Sequence, residues 1–139
     1  MINRRDALGA LMMLATGDAP ANGGVSHWPD GVFTLNGGKT VHESFGDNTV
    51  YFDGKADDLK SMVAGSLLLY AGQEPHPPHQ HPEEEFMLVS EGTGEILVAG
   101  KTTKVGPGDM MYCQGNHLHG IKNTGTAPMR FYYFKWSNG

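Results

Sequence analysis

Gly72-Gln-Glu-Pro75-His76-Pro77-Pro78-His79-Gln80-His81-Pro82-Glu83-Glu84-Glu85-Phe86-Met87-Leu88-Val89-Ser90-Glu91-Gly92 is the stretch on which the fold turns. Its second half alternates Glu85, Met87 and Val89 with Phe86 and Leu88, which reads as a strand that is apolar on both faces. In its first half His79 and His81 are two apart, so on an extended chain both rings leave the same face and one ion can take both. Glu85 follows at another even separation. Pro82 marks a turn between them, however, and a turn resets which face is which. The plain alternative is a histidine-rich loop, since His76, His79 and His81 stand among four prolines.

A second stretch runs from Gly100 through Pro107-Gly108-Asp109 to His119-Gly120-Ile121-Lys122-Asn123. Together the two resemble the paired motifs of the cupin superfamily: His-x-His, three residues, Glu, six residues, Gly; then Pro-Gly-Asp and a later histidine with its asparagine. The resemblance covers about residues 60 to 136 and implies an all-β fold, a single-domain β-barrel of the double-stranded β-helix or jelly-roll type. It further implies that His79, His81, Glu85 and His119 are the ligands of one divalent ion, the fourth arriving from a distant strand. Where the commonest second motif has Pro-x-Gly, this chain reads Gln114-Gly115-Asn116, which keeps the turn because Gly115 and Asn116 both tolerate positive φ. Three imidazoles and a carboxylate suit Mn, Fe, Ni, Cu or Zn better than Mg or Ca, which prefer all-oxygen shells. His76 reads as an ordinary histidine of the loop, at the surface or satisfied in the core, whereas His117 shares parity with His119 and is the candidate acid–base residue, its ordinary pKa lying near neutrality, with a simple rim position as the alternative.

Short β-branched or apolar runs punctuated by Gly, Pro, Asn and Asp follow Gly23-Gly24, the pattern of a barrel or sandwich. Strands are expected at 49–52, 66–71, 85–90, 94–99, 101–105, 109–113, 119–123 and 129–136, with turns at Pro107-Gly108-Asp109 and Asn123-Thr124-Gly125. Several of these strands, 129–136 above all, are apolar on both faces. One face lines the interior, and the other needs a cover, either the amino-terminal region or a second subunit, with a homodimer expected.

The chain has 139 residues, enough for one domain with a real core and too few for two. Its net charge of −5, with no basic patch, argues against a nucleic-acid partner. A single cysteine, Cys113, rules out an intrachain disulfide and reads as a small buried hydrophobe.

Residues 1–21 have the order of an export signal: Arg4-Arg5, a short apolar run from Ala7 to Ala15, then Ala19-Pro20-Ala21 as a small-x-small cleavage site. The paired arginines with Leu8 resemble a twin-arginine leader, although Ala7 stands where that motif usually has phenylalanine. The expected mature domain is 22–139 and the expected location periplasmic. An amphipathic helix on a cytoplasmic barrel is the alternative, and the run is too short to span a membrane.

Taken together, these readings favour a small metalloenzyme acting on an oxygen-rich small molecule such as an enol, diketone, hydroxy acid or sugar derivative. A non-catalytic domain whose metal organises a small-molecule or carbohydrate pocket is the rival reading.

Overall fold

A computed structural model describes residues 33–138. The leader expected at 1–21 lies outside the described residues. A short 3-10 turn at Leu35–Gly37 precedes nine strands: β1 Lys39–Glu43, β2 Gly46–Gly54, β3 Ser61–Leu69, β4 Glu84–Glu91, β5 Gly94–Val98, β6 Lys101–Val105, β7 Met110–Cys113, β8 His119–Lys122 and β9 Met129–Ser137. They form a six-stranded sheet ordered β1-β2-β3-β9-β4-β7 and a three-stranded sheet ordered β6-β5-β8. All pairings are antiparallel, as expected of a jelly-roll barrel. No helix among the described residues is long and apolar enough to cross a membrane.

β9 is the organising strand because it pairs β3 on one side and β4 on the other. Its alternation sends Met129, Phe131 and Tyr133 inward, where they are buried. The register builds inward rows across the sheet. Leu67, Phe131 and Val89 form one, and Gly65, Tyr133, Met87 and Met111 the next. Ile96 and Ile121 close the core from the smaller sheet. Fully burying side chains such as Leu69, Val89 and Met129 contributes roughly 1.5–3 kcal/mol each. The third inward row is different in kind: Asp53, Val63, Lys135, Glu85 and Cys113 follow one another across five strands. The sheet therefore ends, on its inner face, in charge.

Local chemistry sets the connections. Ala99 (φ 52) and Gly100 (φ 71) form a two-residue hairpin turn between Val98 and Lys101, the positive-φ geometry that matches strand twist. At the expected turn 107–109, Gly108 takes φ 91 and Asp109 accepts from Gly106 N at 2.8 Å. Asn123 accepts from Gly125 N through Oδ1 and donates through Nδ2 to the Leu69 and Ala127 carbonyls, tying the 123–125 turn to β3.

The strand expected at 49–52 is longer, and β1, which pairs with it, was not expected. Lys39-Thr-Val-His-Glu43 has one apolar residue and is an exposed edge, so it gives no hydrophobic pattern. The outer face of the larger sheet is only partly covered. Phe86 stacks on Trp136 and leans on Tyr112, and Phe86, Met110 and Tyr112 stay exposed.

Candidate metal centre

The loop between β3 and β4, rich in proline, cannot form a continuous ladder, yet it is fastened to β8 and the residues on either side of it by backbone bonds at three places. Asn123 N donates to Gln73 O, His79 and His119 exchange a pair of bonds at 2.9 Å, and Asn116 N donates to His81 O. Those bonds carry His79 and His81 to His119 across about forty residues of chain. Two close approaches hold the contact. A Cβ on Gly115 would stand 2.3 Å from the Pro82 carbonyl oxygen, and Pro78 packs directly on Gly120. Asn116 uses the positive φ (63) expected of it, whereas Gly115 serves by its lack of a side chain.

His79, His81 and His119 each offer a nitrogen, and these atoms lie within 4.8 Å of one another. Glu85, the first inward residue of β4, joins them from the charged row: its Oε2 lies 3.0 Å from His81 Nε2 and 2.7 Å from His119 Nε2. The opposite nitrogens face carbonyls, His81 Nδ1 that of Glu83 at 3.0 Å and His119 Nδ1 that of His117 at 3.0 Å. Each ring is thus oriented from behind by a carbonyl, the arrangement that fixes which nitrogen a metal meets. Cys113, 2% exposed, puts Sγ 3.4 Å from His119 Nδ1. Burial and the Glu85 charge hold its thiol above its ordinary pKa, as a buried apolar residue requires.

Burial and mutual bonding set the protonation of the cluster. Burial, with the charges of His76, His119 and His81, pushes His79 down to about 3, so its imidazole is neutral. Burial would raise Glu85, but hydrogen bonds from His119 and His81 outweigh it and hold the carboxyl at about 2. Burial likewise works against a charged His119, yet the Glu85 bond and the His117 carbonyl raise it above its ordinary value. His79 Nδ1 is buried without a hydrogen-bond partner. An orphaned nitrogen beside two oriented rings and an ionised carboxylate fits a divalent transition ion.

The cluster opens into a cavity of about 40 Å³ lined by Asn48, Leu67, Pro75, His76, Met87, Phe131, Tyr133 and Lys135 together with His79, His81 and Glu85. His76, read from the sequence as an ordinary loop histidine, is 6% exposed and stacks on His79 with ring centroids 3.7 Å apart. Structure and sequence differ over His117. It precedes β8, is exposed, and is not among the cavity's lining residues. The parity argument assumed a strand through 117–119, but Asn116 turns the chain and only the His117 carbonyl reaches the cluster. Asn48, Tyr133 and Lys135 were not singled out from sequence. Tyr133 and Lys135 alternate with Phe131, which is a signal, but only the β3–β9 register says which phase points inward.

The cupin domain family matches residues 66–135, half of the chain. No curated protein matches. Solved structures share the fold at low identity. An RmlC-like cupin from Shewanella frigidimarina NCIMB 400 has a TM-score of 0.62 at 14% identity, covering 77% of this chain and 91% of its own. The polyketide cyclase RemF from Streptomyces resistomycificus has a TM-score of 0.63 at 21% identity, covering 78% and 80%. A predicted oxalate decarboxylase from Thermotoga maritima has a TM-score of 0.60 at 18% identity, covering 77% and 99%. With the family match spanning both motif stretches and the strands arranged as in these barrels, the chain belongs to the cupin family.

Proposed function

We propose that this cupin is a small metal-dependent enzyme acting on an oxygen-rich small molecule. The observation that carries the reading is that His79, His81 and Glu85, with His119 bonded to Glu85 behind them, stand at the wall of a small cavity that Leu67, Met87 and Phe131 also line, where charge interactions are strong. His79, His81 and His119 would hold the ion, with Glu85 as the fourth group. When bound, a divalent transition ion supplies Lewis acidity and, if redox-active, electron transfer to dioxygen or substrate. The chain does the rest. Leu67, Met87 and Phe131 exclude water, and the Glu83 and His117 carbonyls fix the rings. His76, stacked on His79, bonds the Pro77 carbonyl through Nδ1, which leaves Nε2 as the nitrogen that can accept a proton. RemF is a polyketide cyclase by name, which supports enzymatic chemistry in barrels of this shape and says nothing of this chain's substrate.

Elemental analysis of gently purified protein should find close to one Mn, Fe, Ni, Cu or Zn per chain. His119→Ala should lose it, and Glu85→Gln should weaken it while keeping the side chain's shape. Metal retained at the wild-type level in His119→Ala would overturn the ligand set. The placement of His117 outside the cavity favours one rival, a binding domain without turnover. His76→Asn separates the two, because an enzyme would lose about a hundredfold in turnover with metal retained, while a binder would show only altered affinity.

A further inference from the structure

One buried side-chain donor in the cavity's lining lacks a hydrogen-bond partner. Asn48 is 1% exposed; its Oδ1 accepts the Tyr133 hydroxyl at 2.8 Å, and its Nδ2 is buried without a hydrogen-bond partner. That bond fixes which way the amide faces. Burial drives the Tyr133 phenol well above its ordinary pKa, so it remains a donor to Asn48 and cannot become an anion. Lys135, in the charged row, lines the same cavity from the position opposite Glu85. Its charge is felt at His119, whose protonation it disfavours. The remaining lining away from the histidines is largely apolar: Leu67, Pro75, Met87 and Phe131.

We propose that Asn48 and Lys135 form a carboxylate subsite facing the histidine cluster, so that the ligand is a short carboxylic acid with a second oxygen on the neighbouring carbon, a 2-oxo or 2-hydroxy acid. This inference rests on the metal reading for the second oxygen alone. Three features carry it. A buried amide N–H without an acceptor costs stability until a ligand oxygen takes it. Size agrees: a water needs about 10–15 Å³ of such space, so about 40 Å³ admits roughly three heavy atoms, the size of a carboxylate, and leaves the rest of the molecule at the mouth. Charge agrees as well. Lys135 brings a cation to the cavity wall, and Glu85, the carboxylate in the lining, is already bonded to His81 and His119.

The test uses the full chain, metal-free and loaded with Co(II), titrated calorimetrically with pyruvate and with pyruvamide, its neutral counterpart. Pyruvate should bind the cobalt protein, and pyruvamide at least tenfold more weakly. Lys135→Gln should weaken pyruvate at least tenfold with cobalt content and melting temperature unchanged. Asn48→Asp, which keeps the Tyr133 acceptor but puts a charge where the donor was, should abolish binding. Equal affinity for acid and amide, or wild-type affinity in Lys135→Gln, would overturn the subsite. If the wild type took up no cobalt, the metal reading would fail by itself. The subsite would then be judged on metal-free protein, supported by weak pyruvate binding that Lys135→Gln removes and refuted by its absence.

Discussion

Asp53 shows what the charged row costs the folded chain. Its Oδ2 is buried without a hydrogen-bond partner, and burial pushes the carboxyl up to about 6 from an ordinary 3.8, with Lys135 opposing. A raised acid binds its proton more tightly in the folded state, so its contribution to stability is present below pH 3.8 and is lost as pH rises through 6. Asp53→Asn should therefore stabilise the protein at pH 7 by about 1 kcal/mol, once the partial exposure of the site is allowed for. The gain should vanish below about pH 4, which urea unfolding at both pH values will show. Residues were unevenly legible in sequence. Histidine and glutamate spacing carried the cluster because ligand chemistry is sparse and local. Asn48, Asp53 and Lys135 were silent, since their meaning comes from the register of β2, β3 and β9. His117 misled because parity holds only within a strand, and Asn116 breaks it.

At the level of elements, Gly65 makes room for Tyr133. A Cβ there would lie 2.4 Å from the Tyr133 hydroxyl and 2.8 Å from the Thr49 carbonyl oxygen, and the second of these is backbone that cannot swing aside. Gly65→Ala should destabilise by about 2 kcal/mol or more through overpacking, measured by chemical denaturation. The same glycine explains why β3 was expected to start at 66 and starts at Ser61. Glycine inside an apolar run reads as an interruption, yet here it is where one strand lets a ring from the next lie across it. β1 was invisible for the opposite reason, having too little apolar character to leave a period, while β6 was placed at its observed bounds.

For the whole molecule, acid should undo the fold and the site together. In the metal-free protein His79 refuses a proton down to about 3 that the unfolded chain accepts near 6.5, and Glu85 is held at about 2 against 4.5. Both depressed groups give stability that is present above their unfolded values and lost as pH falls towards the folded ones. His119, raised, gives its contribution in full below 6.5 and does not oppose the loss there. Melting temperature should fall from pH 6.5 towards 3, less steeply between about 6 and 4 where Asp53 regains its proton, and the difference between metal-loaded and chelator-treated protein should shrink with it as protons displace the ion. A second expectation concerns the outer aromatic face, where Phe86, Trp136 and Tyr112 stay partly open. Light scattering of residues 22–139 should give a dimer, and a monomer at high micromolar concentration would assign the cover to the same chain.

The central place of β9 also has a consequence in time. β3 and β4 are made early but do not pair with each other; both wait for a strand that the ribosome delivers some forty residues after β4 is finished. Until residues 129–137 emerge, the nascent chain holds two unpaired strand edges and no enclosed interior, the state most prone to wrong association. Lys135 and Glu85 become neighbours only in that last step. Closure of the pocket is therefore an event that follows the synthesis of β9, which supplies Phe131, Tyr133 and Lys135 to its lining, and a chain ending ahead of Met129 forfeits the pocket along with the strand.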